Sequence, residues 1–225
     1  MGEDSKKYKI ERLQHFAGVQ LSDNVYNLAI GLTLLWGIAI NVIMAMFFTP
    51  QILRIPGIAV IILYLVLGFG GTMVVFRSAN PWISFGGFTM LAVGMGFLLT
   101  YYLTAFSGHT IYTAFLMTGI IAVTMMILAT LFPSFFLKIG GALGLALILA
   151  IVVDLIGGLL LHLPLTWMDY AIVVIFAGFI GFDWAKAQAY PKNLDNAIDS
   201  AADIYVDIIN IFIRILSIMG NNSKD

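Results

Sequence analysis

The chain has 225 residues, 61% hydrophobic and only 10% charged, with mean hydropathy +1.00, where a soluble domain carries about 25% charged residues. A formal net charge of −1 and the lack of any Lys/Arg run exclude nucleic acid as a partner, and the absence of cysteine excludes disulfides, thiolate metal sites and cysteine nucleophiles. The composition is that of an all-α, polytopic membrane protein whose first partner is the lipid bilayer.

Residues 1–24 are polar and read as a cytoplasmic N-terminal segment with a short amphipathic helix from Lys9 to Phe16. They lack the short apolar core of a signal peptide, so no cleaved leader is expected. Ser22-Asp23 can cap the helix that follows. Apolar runs of spanning length then fall at about 25–47, 56–76, 82–106, 110–132, 139–161, 167–189 and 197–219. That predicts one seven-helix transmembrane domain over 25–219, with a short polar tail at 220–225. The breaks carry loop chemistry: Thr49-Pro50, Pro56-Gly57, Asn80-Pro81, Ser107-Gly108, Pro133-Ser134, Leu163-Pro164 and Pro191 to Asn193. All are short, so successive helices are expected to be antiparallel neighbours in a protein that works as a monomer.

Lys6, Lys7, Lys9, Arg12, Arg77, Lys138, Lys186 and Lys192 gather on one side of this topology, against Arg54 and Lys224 on the other. The positive-inside rule then places the N-terminus in the cytoplasm and the C-terminus outside, with the cell membrane as location. Trp82, Trp167 and Trp184 stand near span ends, as interfacial anchors do. Glycines crowd spans two, three and five and mark faces where helices approach closely. His109 and His162 fall in connections without a second ligand nearby, and His15 lies in the polar N-terminal segment, so none of them suggests a metal site.

The last span carries Asp199, Asp203 and Asp207 at four-residue steps, then Asn210 and Arg214. Asp203, Asp207, Asn210 and Arg214 share one side of a helix, and a carboxylate near mid-bilayer costs roughly 3 kcal/mol, so this stripe must face protein, water or an ion path. The helix is therefore expected at the middle of the bundle, with Asp195 and Asp199 at its membrane edge as a solvated rim and an N-cap. Asp183 is a second intramembrane acid. Counted from span ends at Tyr190 and Ile198, Asp183 and Asp207 lie about 10 Å and 13 Å from the same membrane face and can meet across one hairpin. Such carboxylates share a proton and titrate as a coupled pair, which makes a pH sensor and, when ionised, a transient calcium contact.

The segment from Ala201 to Phe212, AADIYVDIINIF, resembles the signature last helix of the Bax-inhibitor family of transmembrane proteins. Phe182-Asp183 is similar to that family's aromatic-Asp in the preceding span, and Ala114-Phe115 with Thr118 resembles its span-four motif. The resemblance implies seven helices with the C-terminal helix central and the other six wrapped around it in two layers of three. For a bacterial-type member it implies a pH-sensitive calcium leak in which Asp183 and Asp207 form the sensor and Arg77 is a latch to Asp183. Independently of the resemblance, Arg77 ends span two on the face where Asp183 and Asp203 begin, so pairing with either ionised acid is expected to hold the cytoplasmic mouth shut. Three positions depart from the family pattern: Lys186 stands where Gln is frequent, Asp203 where a small residue is usual, and Ser217 where an Arg is found, with Arg214 one turn earlier.

The function expected is a pH-sensitive calcium leak channel, not an enzyme, with no cofactor and calcium only as permeant ion. A non-conducting protein that regulates a membrane protease is the alternative. An aspartyl intramembrane protease would need a Gly-x-Gly-Asp, whereas the second acid here sits in Tyr205-Val206-Asp207. Asp154 and Arg214 lie at similar depth, about 23 Å and 24 Å from the cytoplasmic side, which predicts an ion pair closing the outer side as a plug or gate.

Overall fold

The computed structural model describes residues 19–160 and 166–222. The expected N-terminal helix, Lys6, Lys7, Lys9, Arg12, His15, His162 and Lys224 lie outside the described residues. Seven long helices carry the described chain: α1 (Asp23–Phe47), α2 (Gly57–Arg77), α3 (Pro81–Leu103), α4 (Gly108–Leu131), α5 (Pro133–Asp154), α6 (Thr166–Ala189) and α7 (Leu194–Asn222). A single helical turn, Thr49–Ile52, follows α1, and a π-helical stretch, Leu155–Leu160, prolongs α5.

Several residues that read as breaks in the sequence turn out to start helices. Asn80 Oδ1 accepts from the Trp82 N–H at 3.0 Å ahead of Pro81. Ser107 Oγ accepts from the Thr110 N–H at 3.2 Å. Pro133 opens α5 after the one non-helical residue Phe132, because proline is tolerated in a first turn, where its missing N–H has no partner to lose. α5 therefore starts well before the expected 139 and takes in Lys138, whose exposed side chain can reach the interface along its own apolar stem.

Six helices, α1 to α6, are long and apolar enough to cross a membrane. They display large apolar residues outward, among them Val66, Ile120 and Val174, as a lipid-facing surface requires. α7 is the longest, with 29 residues, yet its acids keep it out of that class. No residue from Asp195 to Gly220 is exposed. A helix too polar for lipid is thus enclosed along its length.

The chain divides into two compact units with three of the first six helices in each. One holds α1 to α3 and the start of α7 up to Tyr205; the other holds α4 to α6 and α7 from Val206. In the first unit α2 and α3 meet backbone to backbone. A Cβ on Gly71 would stand 2.5 Å from the Leu91 amide nitrogen, and one on Gly94 2.7 Å from that of Gly68. These glycines mark a contact face, as expected, whereas Gly86, Gly141 and Gly144 border open space. The Tyr205 hydroxyl of α7 donates to Asn41 Oδ1 of α1 at 2.7 Å, and Asn41 Nδ2 donates to the Ala92 carbonyl of α3 at 2.9 Å. One polar chain ties three helices.

The start of α7 corrects the sequence reading. Asp195 and Asp199 form no solvated rim: both are fully buried. Asp195 accepts from the Ser84 hydroxyl at 2.6 Å, and Ser200 lies 3.3 Å from the Tyr26 hydroxyl. The cap is Asn193, whose Oδ1 accepts from the Asn196 N–H at 2.8 Å. The helix begins a turn earlier than hydropathy suggests, with Ser84 and Tyr26, rather than water, partnering Asp195 and Ser200 in its first turns.

Candidate functional site: enclosed carboxylates of the second unit

Asp183 of α6 and Asp207 of α7 belong to the same unit, and both are buried, at 6% and 5% exposure. Burial of this depth forbids cheap ionisation without a counter-charge. Asp183 has one on its own helix: Lys186 Nζ stands 2.6 Å from Asp183 Oδ1, one turn on. The same ammonium lies 5.3 Å from the centroid of the Phe182 ring. That ring packs on Gly140 of α5, where no side chain could stand without displacing it. The cation is therefore held from two sides.

Counted from the observed helix ends, Asp183 lies about 9 Å from the end of α6 and Asp207 about 20 Å from the start of α7. The earlier start of α7 makes these depths less equal than the sequence suggests. Helix tilt, or a connection that enters below the surface, must absorb the difference for the carboxylates to meet. Tyr190, Pro191 and Asn193 of the connection between α6 and α7 are all buried.

At the other end of α7, Arg214 lies between two carboxylates of its own unit. Its Nη1 donates to Asp169 Oδ1 at 2.8 Å, while its Nη2 stands 3.7 Å from Asp154 Oδ2. Ser217, one turn further, donates to Asp169 Oδ2 at 2.6 Å. The expected partner Asp154 is thus within ion-pair reach, but the nearer one is Asp169, whose closeness to a span end hides it in the sequence. Asp169 sits in the first turn of α6, where helix-terminal N–H groups favour an anion, and it is 7% exposed. Arg214 and Ser217 one turn apart present two donors to one carboxylate, and that spacing was the available signal.

Arg77 ends α2 with an exposed side chain and makes no ion pair with a described residue. Asp203 is half-buried on the first unit's part of α7. Ala114 and Thr118 of the span-four motif are buried, and the Thr118 hydroxyl donates to the Ala114 carbonyl at 2.8 Å. His109 is exposed at the start of α4. Among the described residues no group of three or more His, Cys, Asp or Glu could hold a metal ion.

An all-helical, multi-pass membrane protein whose last helix carries buried acids is the class these features define. The family model described as Inhibitor of apoptosis-promoting Bax1 matches residues 19–224, and the chain belongs to that Bax-inhibitor family. Neither the curated proteins nor the solved structures include a match to this chain.

Proposed function

We propose that the protein is a pH-sensitive leak channel for calcium or a related cation, with Asp183 and Asp207 as the groups whose protonation sets the flux. The observation that carries this reading is the burial of two carboxylates on consecutive helices of a membrane protein. Acids in that setting are costly and are kept for ion paths or proton relays. Family membership supports the same reading. The protein carries out no covalent chemistry and requires no cofactor. It lies in the cell membrane, and by the positive-inside rule its N-terminus is cytoplasmic.

The test is calcium flux into liposomes holding only the purified protein, followed from pH 5 to 8. Asp183→Asn and Asp207→Asn keep size and hydrogen bonding but delete the titration, so each flattens the pH profile. Wild-type profiles in both variants would remove the sensor assignment. No flux in the wild type at any pH would remove the channel itself and favour a non-conducting partner of another membrane protein.

A further inference from the structure

We infer that Lys186 is a tethered cation that occupies Asp183 at rest and must be displaced by the permeating ion, which makes it a selectivity element favouring divalent over monovalent cations. This rests on the proposed leak. The geometry is that of an occupied site: the ammonium nitrogen is 2.6 Å from Asp183 Oδ1, and the two side chains are only 15% and 9% exposed. Little water or salt reaches such a pair to screen it. The Phe182 ring, 5.3 Å away, stabilises the ammonium further through its π face.

Lys186 also has somewhere else to go. It lies in the last turn of α6, where the terminal carbonyls lack intrahelical partners and the helix dipole favours a cation. Its four-carbon stem can swing the ammonium from Asp183 toward those carbonyls, freeing the carboxylate. A covalently held competitor acts at an effective concentration in the millimolar range, and an ion of equal charge gains no extra Coulomb attraction by replacing it. A divalent ion gains twice the attraction to the same carboxylate and can displace it. Lys186 is thereby a specificity-determining residue, not a helix-stabilising pair alone.

The experiment compares wild type with Lys186→Gln, Lys186→Met, Lys186→Arg and Asp183→Asn. Two readouts are taken: equilibrium binding of radioactive calcium in detergent, and potassium against calcium flux in liposomes. Helical content by circular dichroism checks folding, and either neutral variant suffices if the other fails to fold. A charge-assisted contact between buried groups corresponds to about a tenfold change in an equilibrium constant or more. Lys186→Gln is therefore expected to lower half-saturating calcium about tenfold and to raise potassium flux relative to calcium. Lys186→Arg should behave as wild type, and Lys186→Gln should have no effect on an Asp183→Asn background. Calcium binding unchanged in Lys186→Gln, or changed equally in Lys186→Arg, overturns the tether. If the wild type passes no cation while the binding pattern holds, the leak reading fails and the tether stands. Pronounced flux in the wild type with no change in either neutral variant keeps the leak and removes the tether.

Discussion

Replacing Asp169 with Asn tests which carboxylate holds Arg214. Asp169 is the nearer partner at 2.8 Å, is mostly buried, and also accepts from Ser217 at 2.6 Å. Breaking one side of a buried ion pair costs about 3 to 5 kcal/mol, and discounting for an Arg214 side chain that is 32% exposed leaves about 2 kcal/mol. Asp154 stands 3.7 Å away with its side chain 41% exposed, so Asp154→Asn should cost less than about 0.5 kcal/mol. For a chain of this size the first change corresponds to a fall in Tm of about 4 to 8 °C and the second to less than about 2 °C. Thermal unfolding in detergent, followed by circular dichroism, reads both. If Asp154→Asn costs as much as Asp169→Asn, the assignment of Asp169 as anchor is wrong. The same geometry argues against a simple charge swap: Asp154→Arg with Arg214→Asp would set a new carboxylate against Asp169, so the double variant should be less stable than Asp154→Asn.

Tyr205→Phe removes the donor to Asn41 Oδ1 and leaves that buried oxygen without this bond, at a cost of about 1 to 2 kcal/mol; unfolding at the wild-type temperature would remove the Tyr205–Asn41–Ala92 chain from the forces that fix α7. The latch reading of Arg77 predicts that Arg77→Ala raises the resting leak in liposomes, and an unchanged leak takes Arg77 out of the gate.

What the sequence could show depended on whether hydropathy or partnership decided the outcome. The six apolar helices were legible because insertion into lipid follows composition, and their limits fall within a few residues of the apolar runs, α5 excepted. The start of α5 was hidden because Pro133 reads both as a breaker and as a first-turn residue, and Lys138 beside it looked like the edge of a loop. Asp195 and Asp199 were misplaced for a different reason. Nothing in their own neighbourhood announces Ser84, more than a hundred positions earlier, as the donor that lets Asp195 be buried. Lys186 was visible as a departure from the family pattern, but its contact with Asp183 at one-turn spacing could equally have been a solvated pair. The depth of burial decides between them, the two side chains being 15% and 9% exposed.

The polarity of α7 constrains how the protein assembles as well as what it does. Asp199, Asp203, Asp207 and Arg214 would each cost about 2.5 to 3.5 kcal/mol at the centre of an isolated span, less toward its ends, and so roughly 8 kcal/mol together. The Ile, Val, Leu and Phe of the same helix return about 0.3 to 0.6 kcal/mol each, roughly 5 kcal/mol in all. Alone, α7 is therefore on the unfavourable side of insertion by a few kcal/mol, whereas each of the other six is apolar enough to enter by itself. Tyr205 and Asp195 find partners in Asn41 and Ser84, and Arg214 in Asp154 and Asp169, all on helices made earlier. It follows that α7 enters the membrane only after those helices are in place. A glycosylation-site reporter placed after α7 should show poor insertion when the helix follows a neutral host sequence and efficient insertion when it follows its own α1 to α6. Efficient insertion of α7 in isolation would mean that its stripe of charge is tolerated by lipid without partners, and the case for an enclosed functional helix would lose its energetic basis.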